Sequence, residues 1–463
     1  MRQKRDPQRN LQDLKPNWSR ARQLAEIDRI LDAHPELCDL VADDLAPYRA
    51  PQKLPSRAGA KGMTAEQVLR VAILKQLKQW AYRVLWDVID DSERLRSFCR
   101  FGDRKIPMFN TLAENIKRIR VETWKAVNAV LLKEAKDHKI EKGRQVRIDT
   151  TGVESPIHHP TDSRLIWDCV RVITRLMVGC REAFPPVAWS FANHTRRAKR
   201  RAFKIANTRK VSVRTAAYRD LLKVGQQVLE DGRQVGSQLE HLTGLAWEDQ
   251  TLAETLRGEL DAVLALFPRI LEQCRRRVID GESVPAEEKV VSIFEPHTDI
   301  LVKGQREPQF GHKICLTGGT SNLILDCILE RGNPADSSLF VPALTNTRDV
   351  LGQIPERVAT DGGFYSQANA DEAQALGVQA VDFGGKRKNP LAQHVVSARI
   401  QRLLRRFRAG IEGVISATKR AYGLDRCTWR GWDGFQRDVW SAMVAGCRPS
   451  EACGGCSAKR RRT

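Results

Sequence analysis

"GRQVRIDTTGVES", residues 143 to 155, is where the character of this chain changes. Before it, apolar residues recur at helical intervals; within it they alternate, with Val146 and Ile148 on one side and Arg147 and Asp149 on the other. A period of two predicts a strand ending near Asp149. Upstream, "TAEQVLRVAILKQLKQW" (64–80) opens with Thr64 and Gln67 in capping-box spacing and then sets Leu69, Ile73, Leu77 and Trp80 on one buried face. Thr111 and Glu114 in "FNTLAENIKRIR" predict a second helix start, with Lys117, Arg118 and Arg120 on its outer side. Residues 1–140 therefore read as an all-α N-terminal region, in a pattern that suits a DNA-binding helix-turn-helix and a plain helical bundle equally.

After "HHPTDSRLIWD" (158–168) the chain reads as helical for more than a hundred residues. Strand signals return at "KVVSIF" (289–294), "GHKICLTGG" (311–319) and "NLILDCILERG" (322–332), the last two joined by the turn sequence "GGTSN". A helix in "SSLFVPALTNTRDVLG", a strand in "PERVATDGGFYS", a helix in "QANADEAQALG" and a strand in "VQAVDFG" follow, and then a basic helix containing Glu412. Strands alternating with helices argue for an α/β mixed sheet flanked by helices. The expected organisation is a helical region at 1–140, the first part of the core at 141–164, a large basic helical insertion at 165–288, the rest of the core at 289–445 and a disordered basic tail at 446–463.

At 463 residues, two or three domains are expected, and 41% hydrophobic with 29% charged residues is a folded, globular composition. Lys plus Arg outnumber Asp plus Glu by 77 to 56, a net charge of +21. Because each neutralised phosphate releases a condensed counterion, such an excess points to a nucleic-acid partner. The basic residues do not gather beside an apolar helix face, which argues against a membrane surface. No run approaches the roughly 18 apolar residues of a membrane span. "MRQKRDPQRN" leads into no apolar core, so a cytoplasmic location is expected. Eleven cysteines, mostly isolated in apolar runs, are expected as reduced core thiols.

Asp149 and Asp361 are expected at strand ends and Glu412 on a helix after the last strand. Strand ends in α/β sheets converge on a crevice, and three carboxylates there cannot all stay ionised without a cation. Hard, oxygen-seeking Mg²⁺ is the natural choice; two ions about 3.5–4 Å apart would serve an in-line phosphodiester displacement. On the Glu412 helix, Arg405, Arg408, Glu412, Ser416 and Lys419 share one stripe, while Leu404, Phe407, Ile411, Val414 and Thr418 form a buried one. Taken alone, each Asp is a common turn or cap residue, and Glu412 could be in a simple helix ion pair.

Taken together, these segments resemble the DDE transposases of bacterial insertion sequences, most closely an ISNCY-like group. "VRIDTTGVESPIHHPTDSRLIWDCVRVI" is similar to the first-aspartate segment, "FGHKICLTGG" to its hairpin strand, "RVATDGGFYS" to the second-aspartate segment and "RAGIEGVISATKRAYGLDRCTWRG" to the glutamate helix. Arg408, Glu412 and Lys419 match the related Tyr-x2-Arg-x3-Glu-x6-Lys pattern, whereas Arg405 stands where tyrosine is wanted. The resemblance implies an RNase H-like core with Asp149, Asp361 and Glu412 as catalytic metal ligands. It also implies Mg²⁺, with Mn²⁺ as a substitute, and Arg408 and Lys419 on phosphate. The implied partners are double-stranded DNA, both terminal inverted repeats and target, and a second protomer in a dimer or higher oligomer on DNA. The implied activity is cleavage at the element's ends followed by strand transfer, in a bacterial, nucleoid-associated enzyme. Two rivals share these features: an inactive, domesticated DNA-binding protein, and a structure-selective nuclease without strand transfer.

Arg196, Arg197, Lys199, Arg200, Arg201 and Lys204, in "HTRRAKRRAFKIANTRK", are expected to contact DNA, with "CRRRV" adding three arginines. His158, His159 and His312 are not expected as metal ligands, because Mg²⁺ disfavours imidazole. Cys447, Cys453 and Cys456 lack the fourth ligand and ordered frame of a zinc site.

Overall fold

The computed structural model describes residues 3–5, 18–19, 21–46, 62–302, 307–384 and 398–446. Residues 447–463, with the three tail cysteines, lie outside them. The chain divides into two compact units, one formed by Met1–Glu154 with His312–Thr463, the other by Ser155–Gly311.

Among the described residues of the first unit, seven helices precede the sheet: α1 (Arg22–Ala33), α2 (Glu36–Leu45), α3 (Ala65–Lys78), α4 (Tyr82–Asp91), α5 (Glu93–Phe98), α6 (Phe109–Arg118) and α7 (Val121–Asp137). Thr64 caps α3 as its sequence predicts: its hydroxyl accepts the Gln67 N–H at 3.1 Å, and the Gln67 side chain accepts the Thr64 N–H at 2.9 Å. Thr111 does not start α6. Pro107 and Met108 (φ −53°, ψ 152°) already supply the extended entry, so the helix begins at Phe109 and Thr111 lies inside it.

The first strand, β1 (Gln145–Glu154), runs five residues past the predicted end, and the backbone N–H of Glu154 donates to the Asp425 carbonyl. Asp149 is therefore within the strand.

The second unit holds four helices, α8 (Asp162–Ala183), α9 (Thr195–Asn207), α10 (Val211–Glu240) and α11 (Trp247–Cys274), around a core that includes Ile166, Ile173, Leu221, Val228 and Phe267. Gly225 of α10 permits their close approach, since a Cβ there would sit 2.7 Å from Leu271 and 3.2 Å from Phe267. The strand expected at 289–294 does not form. The Ser292 hydroxyl accepts the N–H groups of Phe294 and Glu295, both at 3.1 Å, and Val290 donates to the Gln273 side chain. Side chains thus take the donors a ladder would need. A short β2 (Asp299–Leu301) pairs instead with Gln309–Gly311.

Back in the first unit come β3 (Gln309–Gly318), β4 (Ile324–Leu329), α12 (Phe340–Leu351), β5 (Arg357–Ala359), α13 (Gln367–Ala375), β6 (Ala380–Asp382), α14 (Ala398–Tyr422) and α15 (Gly431–Gly446). β3 and β4 form the predicted antiparallel hairpin. The mixed sheet runs β4-β3-β1-β5-β6, with β1, β5 and β6 mutually parallel. One hydrophobic core joins the N-terminal helices to this sheet, from Leu37 and Trp124 through Ile148 and Phe340 to Phe435. The eight cysteines among the described residues are buried thiols, and burial raises that of Cys99 to about 12.

The two capping signals separate in a stability measurement. Thr64→Ala should cost about 1 kcal/mol in urea unfolding, whereas Thr111→Ala should stay within about 0.5 kcal/mol of the parent.

Candidate active site

The parallel ladders fix rows of side chains across three strands. Arg147 pairs with Ala359, and Ala359 with Asp382, so these three form one row. Asp149 lies two residues further along β1, where alternation returns its side chain to the face of Arg147, whereas β5 ends at Ala359 and Asp361 caps the turn that follows it. Two aspartates 212 positions apart are thus carried by neighbouring parallel strands, Asp149 inside β1 and Asp361 just past the end of β5. Each carboxylate is oriented by a nearby backbone donor: Asp149 accepts the N–H of Thr150 at 2.8 Å, and Asp361 that of Gly363 at 2.9 Å.

Helix α14 lies on this face. Ala359 and Ala380 pack against Leu404, Ile400 and Phe407. Arg147 donates to the Phe407 carbonyl at 2.9 Å, and Lys419 Nζ donates to the Gly152 carbonyl at 2.7 Å. These two contacts act as a ruler. From 147 to 152 the strand advances about 17 Å, and from 407 to 419 the helix advances about 18 Å, so the two elements run level. Asp149, two-fifths of the way along, then falls beside residue 412. Glu412 is exposed there, and a Cβ on Gly413 would meet nothing within 4 Å, so the helix is open at that level. Leu404, Ile411 and Thr418 are buried as the stripe predicts.

The three carboxylates are not drawn into one ligand group: among the described residues, no three His, Cys, Asp or Glu side chains gather closely enough to hold a metal ion. By donor type the two aspartates suit a hard cation. Glu412 is exposed on α14.

Further charged groups lie on the neighbouring elements. Asp382 is buried, and burial raises its pKa against the opposing pull of Arg405 and Arg408. Arg405 Nε lies 3.8 Å from Asp382 Oδ2, which has no hydrogen-bond partner among the described residues. Arg405 of α14 thus faces a buried acid. Lys313 on β3 donates to Asp336 at 2.8 Å, and Asp336 Oδ2 would lie 3.0 Å from a Cβ on Gly363. Sequence reasoning singled out none of Arg147, Asp382, Lys313 and Asp336. A charged residue two places before an expected site aspartate was the available signal for Arg147, and an acid ending the third parallel strand was that for Asp382.

Lys419 spends one donor on Gly152 and lies 3.6 Å from Asp425, so it anchors α14 to β1. Arg408 makes no salt bridge with a described residue. His312 is a core residue, edge-on to Trp432 and Phe435. His158 lies 3.3 Å from Asp168, and His159 packs edge-on against Phe310.

In the second unit the basic run divides. Arg197 and Arg201 both bond Asp220, whose carboxyl they hold at about 2. Arg196, Lys199, Arg200 and Lys204 remain exposed on α9. The "CRRRV" arginines are occupied: Arg275 with Glu272 and Asp280, Arg276 with Glu282 and Glu288, and Arg277 with Asp162.

Residues 275–446 match the family described as Transposase DDE domain, which supports a DDE transposase of an insertion sequence. No curated protein and no solved structure matches the chain significantly. The matched segment holds Asp361 and Glu412, and its β5 carries the partner register of the strand holding Asp149.

Asp220 supplies a pH signature. Its pKa is depressed on folding, so its stabilisation is complete above the ordinary carboxylate value of 3.8 and is lost as pH falls through about 2. The parental protein should exceed Asp220→Asn in denaturant midpoint at neutral pH, and the two midpoints should converge between about pH 4 and 2.

Proposed function

We propose that this chain is a DNA transposase that cleaves DNA at the ends of an insertion sequence and joins those ends to target DNA. The observation that carries this reading is the parallel β1–β5 pairing, which joins the strand of Asp149 to the strand preceding Asp361, in a chain whose segment 275–446 matches the transposase DDE domain family. The strand order, with three parallel strands and an antiparallel hairpin beside them, supports an RNase H-like core.

Asp149, Asp361 and Glu412 would hold two divalent ions, Mg²⁺ or Mn²⁺, which when bound activate the attacking oxygen and stabilise the leaving one. The chain's own side chains orient and neutralise. Asp149 and Asp361 are held in direction by their backbone donors, and Glu412 would complete the set from α14. Arg408, one helical turn before Glu412, is placed to fork onto the phosphate being cut. Lys419 has one donor committed to Gly152, and the ammonium's remaining protons can reach a phosphate oxygen.

The exposed Arg196, Lys199, Arg200 and Lys204 would position a duplex through its phosphates without reading its bases. Among the described residues no helix is long and apolar enough to cross a membrane. Two protomers would be needed to bring two element ends together.

Incubation with inverted-repeat DNA, target DNA and Mg²⁺ tests the proposal. Joined products support transposition; binding without cutting supports a domesticated DNA-binding protein, and cutting without joining a nuclease. Asp149→Ala, Asp361→Ala and Glu412→Ala should each abolish cleavage and leave DNA affinity nearly intact, and a variant that cuts at the parental rate removes its residue from the site. With about eight phosphate contacts, log affinity should fall with log salt at a slope near −7. Asp220→Asn should release two guanidinium groups, tightening DNA binding and steepening that slope by about 1 to 2.

A further inference from the structure

Arg147 lies two residues before Asp149 on β1, and it is 3% exposed. Its guanidinium is fixed from two sides. Nη1 donates to the Phe407 carbonyl at 2.9 Å with the Phe407 ring centroid 4.8 Å from Cζ, and Nη2 donates to the Asn322 side-chain oxygen at 2.6 Å. Asn322 sits at φ +65° in the β3–β4 turn. That turn is itself held, because buried Glu141 accepts the Ser321 N–H at 2.9 Å and the Ser321 hydroxyl at 2.5 Å. Two glycines make the room. A Cβ on Gly410 would overlap Arg147 Nη1, and one on Gly318 would lie 3.5 Å from Nε.

A buried guanidinium is a costly way to dock a helix on a sheet; apolar side chains of similar volume dock it at least as well. What the charge adds is direction. From Phe407 to Glu412 the helix advances about 7.5 Å, and from Arg147 to Asp149 the strand advances about 6.6 Å. These are nearly equal strides from one shared hydrogen bond. The bond that fixes the height of Phe407 therefore fixes the height of Glu412 against Asp149. At the other end of the same row, Arg405 of α14 faces Asp382 and steadies the helix from the far flank.

We propose that Arg147 is a positioning residue: clamped between Asn322 and the Phe407 carbonyl, it sets the register at which α14 presents Glu412 to Asp149 and Asp361. The assignment rests on the active-site reading above.

The test uses the full-length protein. It measures single-turnover cleavage of inverted-repeat DNA with Mg²⁺, DNA affinity without metal, thermal unfolding, and hydrogen exchange over residues 404–415 in metal-free protein. Arg147→Lys keeps the charge but can serve only one partner. Asn322→Gly keeps the left-handed turn and removes the acceptor, so it covers the case in which Arg147→Lys folds poorly.

Cleavage should slow about tenfold in Asn322→Gly and about a hundredfold in Arg147→Lys, with DNA affinity and unfolding temperature close to parental. The double variant should be no slower than Arg147→Lys alone, because both act through one guanidinium. Exchange over α14 should quicken in Asn322→Gly before any metal or DNA is added. Parental cleavage rates, losses that multiply in the double variant, slowing that only tracks lost affinity or fold, or unchanged exchange would each overturn the assignment. Parental rates in both variants beside an inactive Glu412→Ala would overturn it alone. Glu412→Ala that cuts like the parent would overturn the site as well.

Discussion

Parallel pairing between β1 and β5 is the constraint on which the rest of the first unit depends. Parallel neighbours cannot be joined by a tight turn; the connection must leave the sheet and return. Here it carries the whole of Ser155–Gly311 and the β3–β4 hairpin before β5 takes its place beside β1. The backbone ladder, with Arg147 opposite Ala359, decides which residues of distant segments become neighbours. A slip of one residue in that register would turn each β5 side chain to the other face.

Helix α14 then adds a second level of precision on top of the ladder. Apolar contacts of Leu404 and Ile411 hold it against the sheet without fixing its height, because the hydrophobic effect has no direction. Directional bonds do that: Arg147 to the Phe407 carbonyl near one end of the contact, and Lys419 to the Gly152 carbonyl near the other. At the C-terminal end of the helix, the Gln79 side chain donates to the Tyr422 carbonyl at 2.9 Å, and Gly423, at φ +76°, leaves space for it. The N-terminal helices therefore brace the helix that carries Glu412.

Net charge gives a blunter account of the basic residues than their partners do. Arg70 is fully buried and bonds Asp28, Asp32 and Glu66, while Arg100 joins the same acids. Arg275, Arg276 and Arg277 are engaged within the second unit, as are Arg197 and Arg201. An excess of +21 favours attraction to a polyanion, and among the basic run of α9 Arg196, Lys199, Arg200 and Lys204 are the ones left exposed.

The sequence by itself determined the local elements and the chemistry they could carry. The alternation at 145–149, the Thr64 cap, the hairpin around "GGTSN" and the two-stripe pattern of α14 are all written in residues within a few positions of one another, where steric and hydrogen-bonding preferences act directly. Asp149, Asp361 and Glu412 were legible as candidates for the same reason. Element limits set by distant partners were not legible: β1 continues past Asp149 through long-range pairing, and 289–294 gives up its ladder to the side chains of Gln273 and Ser292. Only the tertiary structure decided that Arg147 lies under α14, that Asp382 and Arg405 face one another, and that half-neutralised arginines alternate with exposed ones. Those facts depend on which surfaces meet across hundreds of residues, and a buried charge shows its purpose only when its partner is in place.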